Sequence, residues 1–268
     1  MRRILLLTFA MLAAAMPRPL AAQATTVAAE IKEGDSLQTA LHPEPALAHF
    51  RAAIALDSTN YEALWKASRA LVDIAKQIES DKDPEKRHRD SLYVQAQGLA
   101  EAAVRANPSG AAAHAMIAQA LGRLSRTRGG KERVRFAKII YDEAARAVEL
   151  DSAQDLAYHV LGAWHAEVER LSSIQRFFAK ALFGAGFMDR ANWADAQRYL
   201  ERAVAIRPQN VYHHLELAEI YVDVGKYSLA RDQLRMIHDL PVSDVLDHEY
   251  KTRAATLLQD IKNEKDET

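Results

Sequence analysis

The chain has 268 residues, 49% hydrophobic and 26% charged, enough for one large soluble domain or a repeat array with a continuous core. A net charge of −1 excludes a general electrostatic pull toward nucleic acid. The lack of cysteine excludes disulfides, thiol catalysis and cysteine-based metal sites, and the abundance of alanine over aromatics favours closely packed helices.

The first 24 residues read as an export signal of bacterial appearance. Arg2 and Arg3 give a positive start, and residues 4–16 form an apolar run of 13 residues, too short for a typical membrane-spanning helix. Ala22-Gln23-Ala24 supplies an A-x-A site, so cleavage is expected after Ala24. Loss of Arg2, Arg3 and Arg18 leaves 32 Lys and Arg against 36 acids, a mature chain near −4. No long apolar run follows. The mature protein is therefore expected to lack a membrane span and to be periplasmic or peripheral to a membrane.

Residues 25–262 read as one all-α repeat domain. Four amphipathic segments end alike: "HFRAAIALDS" (49–58), "GLAEAAVRANP" (98–108), "YDEAARAVELDS" (141–152) and "YLERAVAIRP" (199–208). Each closes on a polar stop that ends one helix and prepares the next. A second helix type follows each stop: "YEALWKASRAL", "AAAHAMIAQAL", "DLAYHVLGAWH" and "VYHHLELAEIY". Small residues recur at its midpoint (Ser68, Ala118, Gly162 and Ala218), where they permit close helix approach. Helix, turn, helix, stop is the tetratricopeptide pattern, clearest over 214–234 with Leu217, Ala218, Tyr221, Gly225, Tyr227 and Ala230.

The stops at Asp57, Asn107, Asp151 and Arg207 lie 50, 44 and 56 residues apart, against about 34 for a standard unit. The first excess predicts two lengthened helices, one from Asn60 to about Ser80 and one from Pro84 to about Ala106, with Asp83 as N-cap. The second centres on a chain reversal at Gly129-Gly130. The third is residues 171–193, "LSSIQRFFAKALFGAGFMDRANW". There Ile174, Phe177, Phe178, Ala181 and Leu182 make one apolar helical stripe, with Arg176 and Lys180 off it and Gly184 and Gly186 ending the helix. This insert is expected to fold over the array, closing its groove or covering an edge, or only to fill the wider gap created by the longer hairpins; the sharper alternative is a lid or membrane-touching element. Leu246, Tyr250, Ala254, Leu257, Leu258 and Ile261 mark a C-terminal capping helix, and 263–268 is expected to be a disordered tail.

"LGAWHAEVERLSSIQRFFAKALFGAG" resembles the segment of regulator of microtubule dynamics proteins in which a Leu-Gly-x-Trp helix precedes an Ala-Leu-Phe-Gly motif. "GGKERVRFAKIIYDEAARAVELD" (129–151) and "LWKASRALVDIA" (64–75) are similar to two further repeats of that family. The resemblance covers roughly residues 30–240. It implies an all-helical tetratricopeptide-like domain. Eukaryotic members are associated with microtubules, or with organelle membrane contacts and phospholipid binding. A microtubule-associated or membrane-contact role is the alternative function it implies, and it requires a cytosolic location.

No G-x-S-x-G, P-loop, G-x-G-x-x-G or H-E-x-x-H motif is present, so a non-enzymatic protein without cofactor is expected. His159 and His165, six apart, point to different sides of a helix, as do His213 and His214, and no metal site is expected. From 123 to 138 the chain carries Arg123, Arg126, Arg128, Lys131, Arg133, Arg135 and Lys138 against one acid, Glu132. Such a hairpin tip suits a phosphate, an anionic lipid head group or an acidic protein segment, and it could equally be a solvated tip. The first helix of each hairpin would line a concave groove with Trp65, Arg69, Ala112, Ala115, Gln119, Arg123, Leu156, His159, Ala163, Tyr212, Leu215 and Glu219. That surface suits an extended peptide, a partner helix or an acyl chain. The expected function is an exported binding scaffold that recognises a protein or peptide partner, or a phospholipid, through its concave face and basic tip. Its candidate binding residues are Trp65, Arg69, Arg123, Arg126, Arg128, Lys131, Arg133, Arg135, His159, Phe177, Phe178 and Tyr212.

Overall fold

The polar stops work by a common local chemistry. The Asp57, Asn107 and Asp151 side chains each accept the backbone N–H two residues on, at 3.0, 3.1 and 2.9 Å, forming Asx turns that halt one helix. Asn60 and Asn210 then cap the next helix by accepting from Ala63 N and His213 N, both at 3.0 Å. Two histidines tie such turns down. His114 and His214 each place Nε2 on the carbonyl of the proline six residues earlier (Pro108, Pro208), and Nδ1 on the paired helix (Glu143, Gln233).

The computed structural model describes residues 20–78 and 82–267. Residues 1–19 of the expected export signal, and the expected helix end near Ser80, lie outside them. The regular elements of the described residues are all helical, without strands: α1 (Leu20–Thr39), α2 (Pro43–Leu56), α3 (Tyr61–Lys76), α4 (Asp83–Ala106), α5 (Ala111–Ser125), α6 (Gly130–Leu150), α7 (Asp155–Glu169), α8 (Ser173–Phe183), a 3-10 turn (Ala185–Arg190), α9 (Trp193–Ile206), α10 (Val211–Asp223), α11 (Tyr227–Asp239) and α12 (Asp247–Asp260). The antiparallel pairs α1–α2, α3–α4, α5–α6, α7–α9 and α10–α11 stack in sequence, and α12 packs on α10 and α11.

The small midpoint residues sit where helices touch. Ser68 is fully buried and donates to the Ala96 carbonyl on α4 at 2.7 Å. A Cβ on Gly162 would come within 1.6 Å of the Leu200 side chain and 3.0 Å of the Ala196 carbonyl oxygen on α9. Two residues on, the Trp164 indole N–H donates to the Ala137 carbonyl of α6 at 2.8 Å, so one turn of α7 locks both neighbours.

The extra length is not shared as expected. Helices α4 and α6 have 24 and 21 residues, against 14 in α9 and 13 in α11, while the first helices α3, α5, α7 and α10 run only 13–16. Helix α3 stops at Lys76, whose side chain is drawn into an ion cluster described below, and α4 begins at Asp83 with Lys82 in the cap position. Helix α1 was not anticipated from sequence. Its contact positions are sparse (Val27, Ile31), and Gly34 lies against the Phe50 ring of α2.

Residues 263–267 depart from the expected disordered tail. The Arg231 guanidinium donates to the Ile261 and Glu264 carbonyls, Asp266 accepts from Ser228 N, and Glu267 N donates to Gly225 O. The segment is held on the free N-terminal groups of α11, where an acid is favoured.

Candidate binding groove and hairpin-tip surface

Three of the sequence-predicted residues meet at the centre of the groove. The Arg123 guanidinium of α5 lies 5.5 Å from the Tyr212 ring centre of α10, and the His159 ring of α7 lies 4.6 Å from the same tyrosine. Tyr250 of α12 completes the cluster. It stacks on Tyr212 at 4.5 Å and 13°, and its hydroxyl accepts from Arg123 at 3.1 Å. Arg123 therefore belongs to the groove, not to the hairpin tip. It has no ion pair among the described residues. Burial opposes its charge, but the phenols of Tyr212, Tyr250 and Tyr93 outweigh that and favour the cation.

A proton chain runs beside this cluster. His213 Nε2 lies 2.9 Å from Asp155 Oδ2, so this nitrogen donates, leaving His213 Nδ1 to accept from His159 Nδ1 at 3.0 Å. Burial holds His159 well below the ordinary histidine value, with the His213 and Arg123 charges adding. Burial also lowers His213, against the pull of Asp155. Farther along α10, burial pushes the Glu219 carboxyl up to about 7, with Glu216 adding and Arg253, 2.5 Å away, opposing.

These shifts have opposite signs for stability. The unfolded chain takes up protons on histidine below about pH 6.5 while the folded pair stays neutral. The histidine contribution is thus full above that pH and declines as pH falls. The Glu219 contribution is full below the unfolded value of about 4.3 and is lost as pH rises toward about 7. The native chain is expected to lose stability more steeply than His159→Gln between about pH 7 and pH 5. Thermal midpoints across that range test this; parallel slopes would mean that His159 is not held neutral.

A second cluster, this one ionic, joins α3 to the α11–α12 connection. Lys76 Nζ, with its side chain only 4% exposed, lies 2.7 Å from Asp73 and 2.5 Å from Asp244, which stands in the α11–α12 connection. Burial would raise the Asp244 carboxyl, but Lys76 outweighs it and holds it below the usual range. Beside this contact opens a cleft of about 430 Å3 lined by Arg69, Arg207, Asn210, Ser243 and Asp244. Of the other predicted lining residues, Trp65 packs partly buried against the core, and Ala115 and Leu215 are wholly core. Lys76, Asp244, Tyr250 and His213 were missed as groove residues. Lys76, His213 and Tyr250 belong to helices already recognised and Asp244 to the connection before the last one, but helical periodicity cannot show which residues of distant repeats converge.

The hairpin tip is only in part a cationic patch. Arg128 pairs with Asp90 (2.6 Å) and Glu132 (3.6 Å), Arg135 with Glu132 (3.5 Å), and Lys138 with Asp142 (2.5 Å). Arg126, Lys131 and Arg133 are exposed and have no ion pair among the described residues. Helix α8 lies next to them, since Phe183 covers Gly130 at the start of α6. Ser172 and Gln175 form a capping box at its start, and Gly184, with φ +68°, ends it.

The α8 stripe faces outward, against the expectation that it folds over the array or fills a gap within it. Ile174, Phe177, Phe178 and Leu182 are 69, 64, 52 and 66% exposed. Helix α7 packs directly on α9 through Gly162, which leaves no gap for α8 to fill, so the insert neither closes the groove nor buries its stripe. Ala185 and Met188 of the 3-10 turn are its buried anchors. Arg176 pairs with Glu169 and Lys180 with Asp189, so the free cations beside the stripe come from the tip.

Stacked helical hairpins around a concave face define a tetratricopeptide-type repeat protein. In fold the chain is similar to a thermophilic TPR protein of Thermus thermophilus, with a TM-score of 0.59, 17% identity and coverage of 87% of this chain and 99% of that one. It is also similar to Pseudomonas aeruginosa pilF, with a TM-score of 0.53, 14% identity and coverage of 90% and 88%. The family model described as regulator of microtubule dynamics protein 1-3 matches residues 30–262, and the chain belongs to that family. It is 30% identical over 205 residues to regulator of microtubule dynamics protein 1 of Bos taurus, and 26% identical over 179 residues to protein 3 of Rattus norvegicus. These matches cover 76% and 66% of this chain but only 62% and 36% of the relatives' lengths.

Proposed function

We propose that this protein is a non-enzymatic, exported binding scaffold that docks on an anionic phospholipid surface through α8 and the α5–α6 tip. The observation that carries the reading is the surface itself. Among the described residues, five of the nine exposed large apolar side chains lie on the eleven residues of α8, beside the unpaired Arg126, Lys131 and Arg133. An amphipathic helix with an outward apolar face and flanking cations suits the headgroup boundary of a bilayer. Both helix ends are capped, so α8 holds its shape without burying that face. Among the described residues no helix is long and apolar enough to cross a membrane, and the contact proposed is peripheral. The non-enzymatic reading is supported by the groove, where the His213–Asp155 pair ends on His159 and not on a hydroxyl.

The protein purified from its own cells is expected to begin at Thr25 by mass spectrometry. It is expected to float with phosphatidylcholine vesicles only when phosphatidylglycerol is added, and less so at high salt. Phe177→Glu/Phe178→Glu should weaken that binding about a hundredfold with helix content unchanged, since each buried phenylalanine contributes about 1.5–3 kcal/mol. Equal flotation of native and variant protein would overturn the reading.

The family name supports a second reading, in which the same free cations meet the acidic surface of a microtubule. That reading requires a cytosolic chain with its first 24 residues intact. It also requires co-sedimentation with microtubules that Arg133→Glu abolishes and Phe178→Glu leaves unchanged.

A further inference from the structure

The C-terminal connection does more than cap the array. From Leu240 to Leu246 the chain is irregular, with Val242 exposed, yet it crosses to a helix at the other end of the sequence. Asp244 meets Lys76, 168 residues away, and one turn into α12 the buried Tyr250 meets Arg123, 127 residues away. Each of these two groove cations is thus contacted by the same short segment, Lys76 by a carboxylate and Arg123 by a phenol.

We propose that the concave groove is a binding site for an acidic protein segment carrying a tyrosine, and that residues 240–250 occupy it as an internal ligand. This inference rests on a different surface from the α8 reading and does not depend on it. Three observations carry it. The seated segment states the chemistry the groove accepts: a carboxylate on Lys76 and, six residues later, an aromatic ring against Tyr212. The internal occupant also leaves a stronger contact unmade, because Arg123 has only a neutral hydroxyl as acceptor where an incoming carboxylate would add an opposite charge and could bind the guanidinium in bidentate fashion. And the segment is not sealed in. The cleft beside Ser243 and Asp244 is flanked by Arg69 and Arg207, whose pairs with Asp73 (3.8 Å) and Asp155 (3.4 Å) are long and partly solvent-exposed, which leaves an acidic segment a cationic approach to the contact it must replace.

A tethered occupant competes at an effective concentration of about millimolar, so the native groove should bind a free segment weakly. The test uses the full chain and a fluorescent peptide, PVSDVLDHEYKT, copied from residues 241–252. Asp244→Asn loosens the internal contact and is expected to raise affinity for the peptide at least tenfold. A peptide with its Tyr250 equivalent changed to alanine should not compete. Arg123→Gln added to Asp244→Asn should abolish binding, with Arg123→Lys as the second variant if glutamine unfolds the chain by circular dichroism. Hydrogen exchange at 244–250 is followed in parallel. Binding that ignores Arg123 overturns the proposal. So does the absence of peptide binding to Asp244→Asn, whether the amides at 244–250 open or stay as protected as those of α10; in the latter case the segment is a fixed structural cap.

Discussion

Gly162→Val is expected to lower the thermal midpoint by about 10 °C, from an overpacking cost of about 3 kcal/mol. Even the first added carbon would stand 1.6 Å from Leu200 Cδ2, and Leu200 is fully buried, so it has no free volume to move into. The Ala196 carbonyl oxygen at 3.0 Å is backbone and can yield only if α9 shifts as a whole. Such a shift would break the α7–α9 pair, the hairpin that carries α8. Alanine at the same position gains about 1 kcal/mol in helix propensity over glycine, and the clash should still leave it destabilised. Thermal unfolding by circular dichroism checks this. Leu200→Ala combined with Gly162→Val should recover part of the loss; a strictly additive double variant would show that the contact is not the cause.

Lys76→Met is expected to cost about 3–5 kcal/mol, because it removes the cation and leaves two carboxylates without it. Asp73 keeps Gln38 Nε2 at 2.5 Å, but Asp244 loses the partner that holds its carboxyl down. The depressed Asp244 value also fixes the pH sign. Its contribution is present above the unfolded value of about 3.9 and is lost as pH falls through the lower folded value. Lys76→Met should therefore flatten the acid limb of the stability profile as well as lower its plateau. Adding Asp244→Asn to Lys76→Met should restore part of the stability. If the double variant is less stable than the single, the carboxylate is held by something other than Lys76.

The repeat architecture was legible because its signals are local. The Asx stops at Asp57, Asn107 and Asp151, the asparagine caps at Asn60 and Asn210 and the small midpoint residues act within one turn or one helix pair. The Ala-Leu-Phe-Gly element was legible as a family mark, and Gly184 as a helix end, because a left-handed residue there favours glycine. The direction of the α8 stripe was not. A helical stripe states that one face is apolar but not which neighbour, if any, will cover it. That depended on Gly162 letting α7 and α9 close without the insert.

The basic run shows the same division. Seven cations between 123 and 138 read as one patch, yet three of them find acids from α4 and α6 and one turns into the groove. What the amino-acid order determined by itself is the all-helical class, the hairpin count from α3 onward, the insert and the family. All of these depend on interactions between residues close in sequence. Only the tertiary structure decided that Arg123, His159 and Tyr212 share a site, that Lys76 and Tyr250 belong to it, and that the C-terminal segment sits there. Those contacts join residues from 38 (Tyr212 and Tyr250) to 168 (Lys76 and Asp244) positions apart, and they are set by the curvature of the stacked hairpins, which no local periodicity encodes.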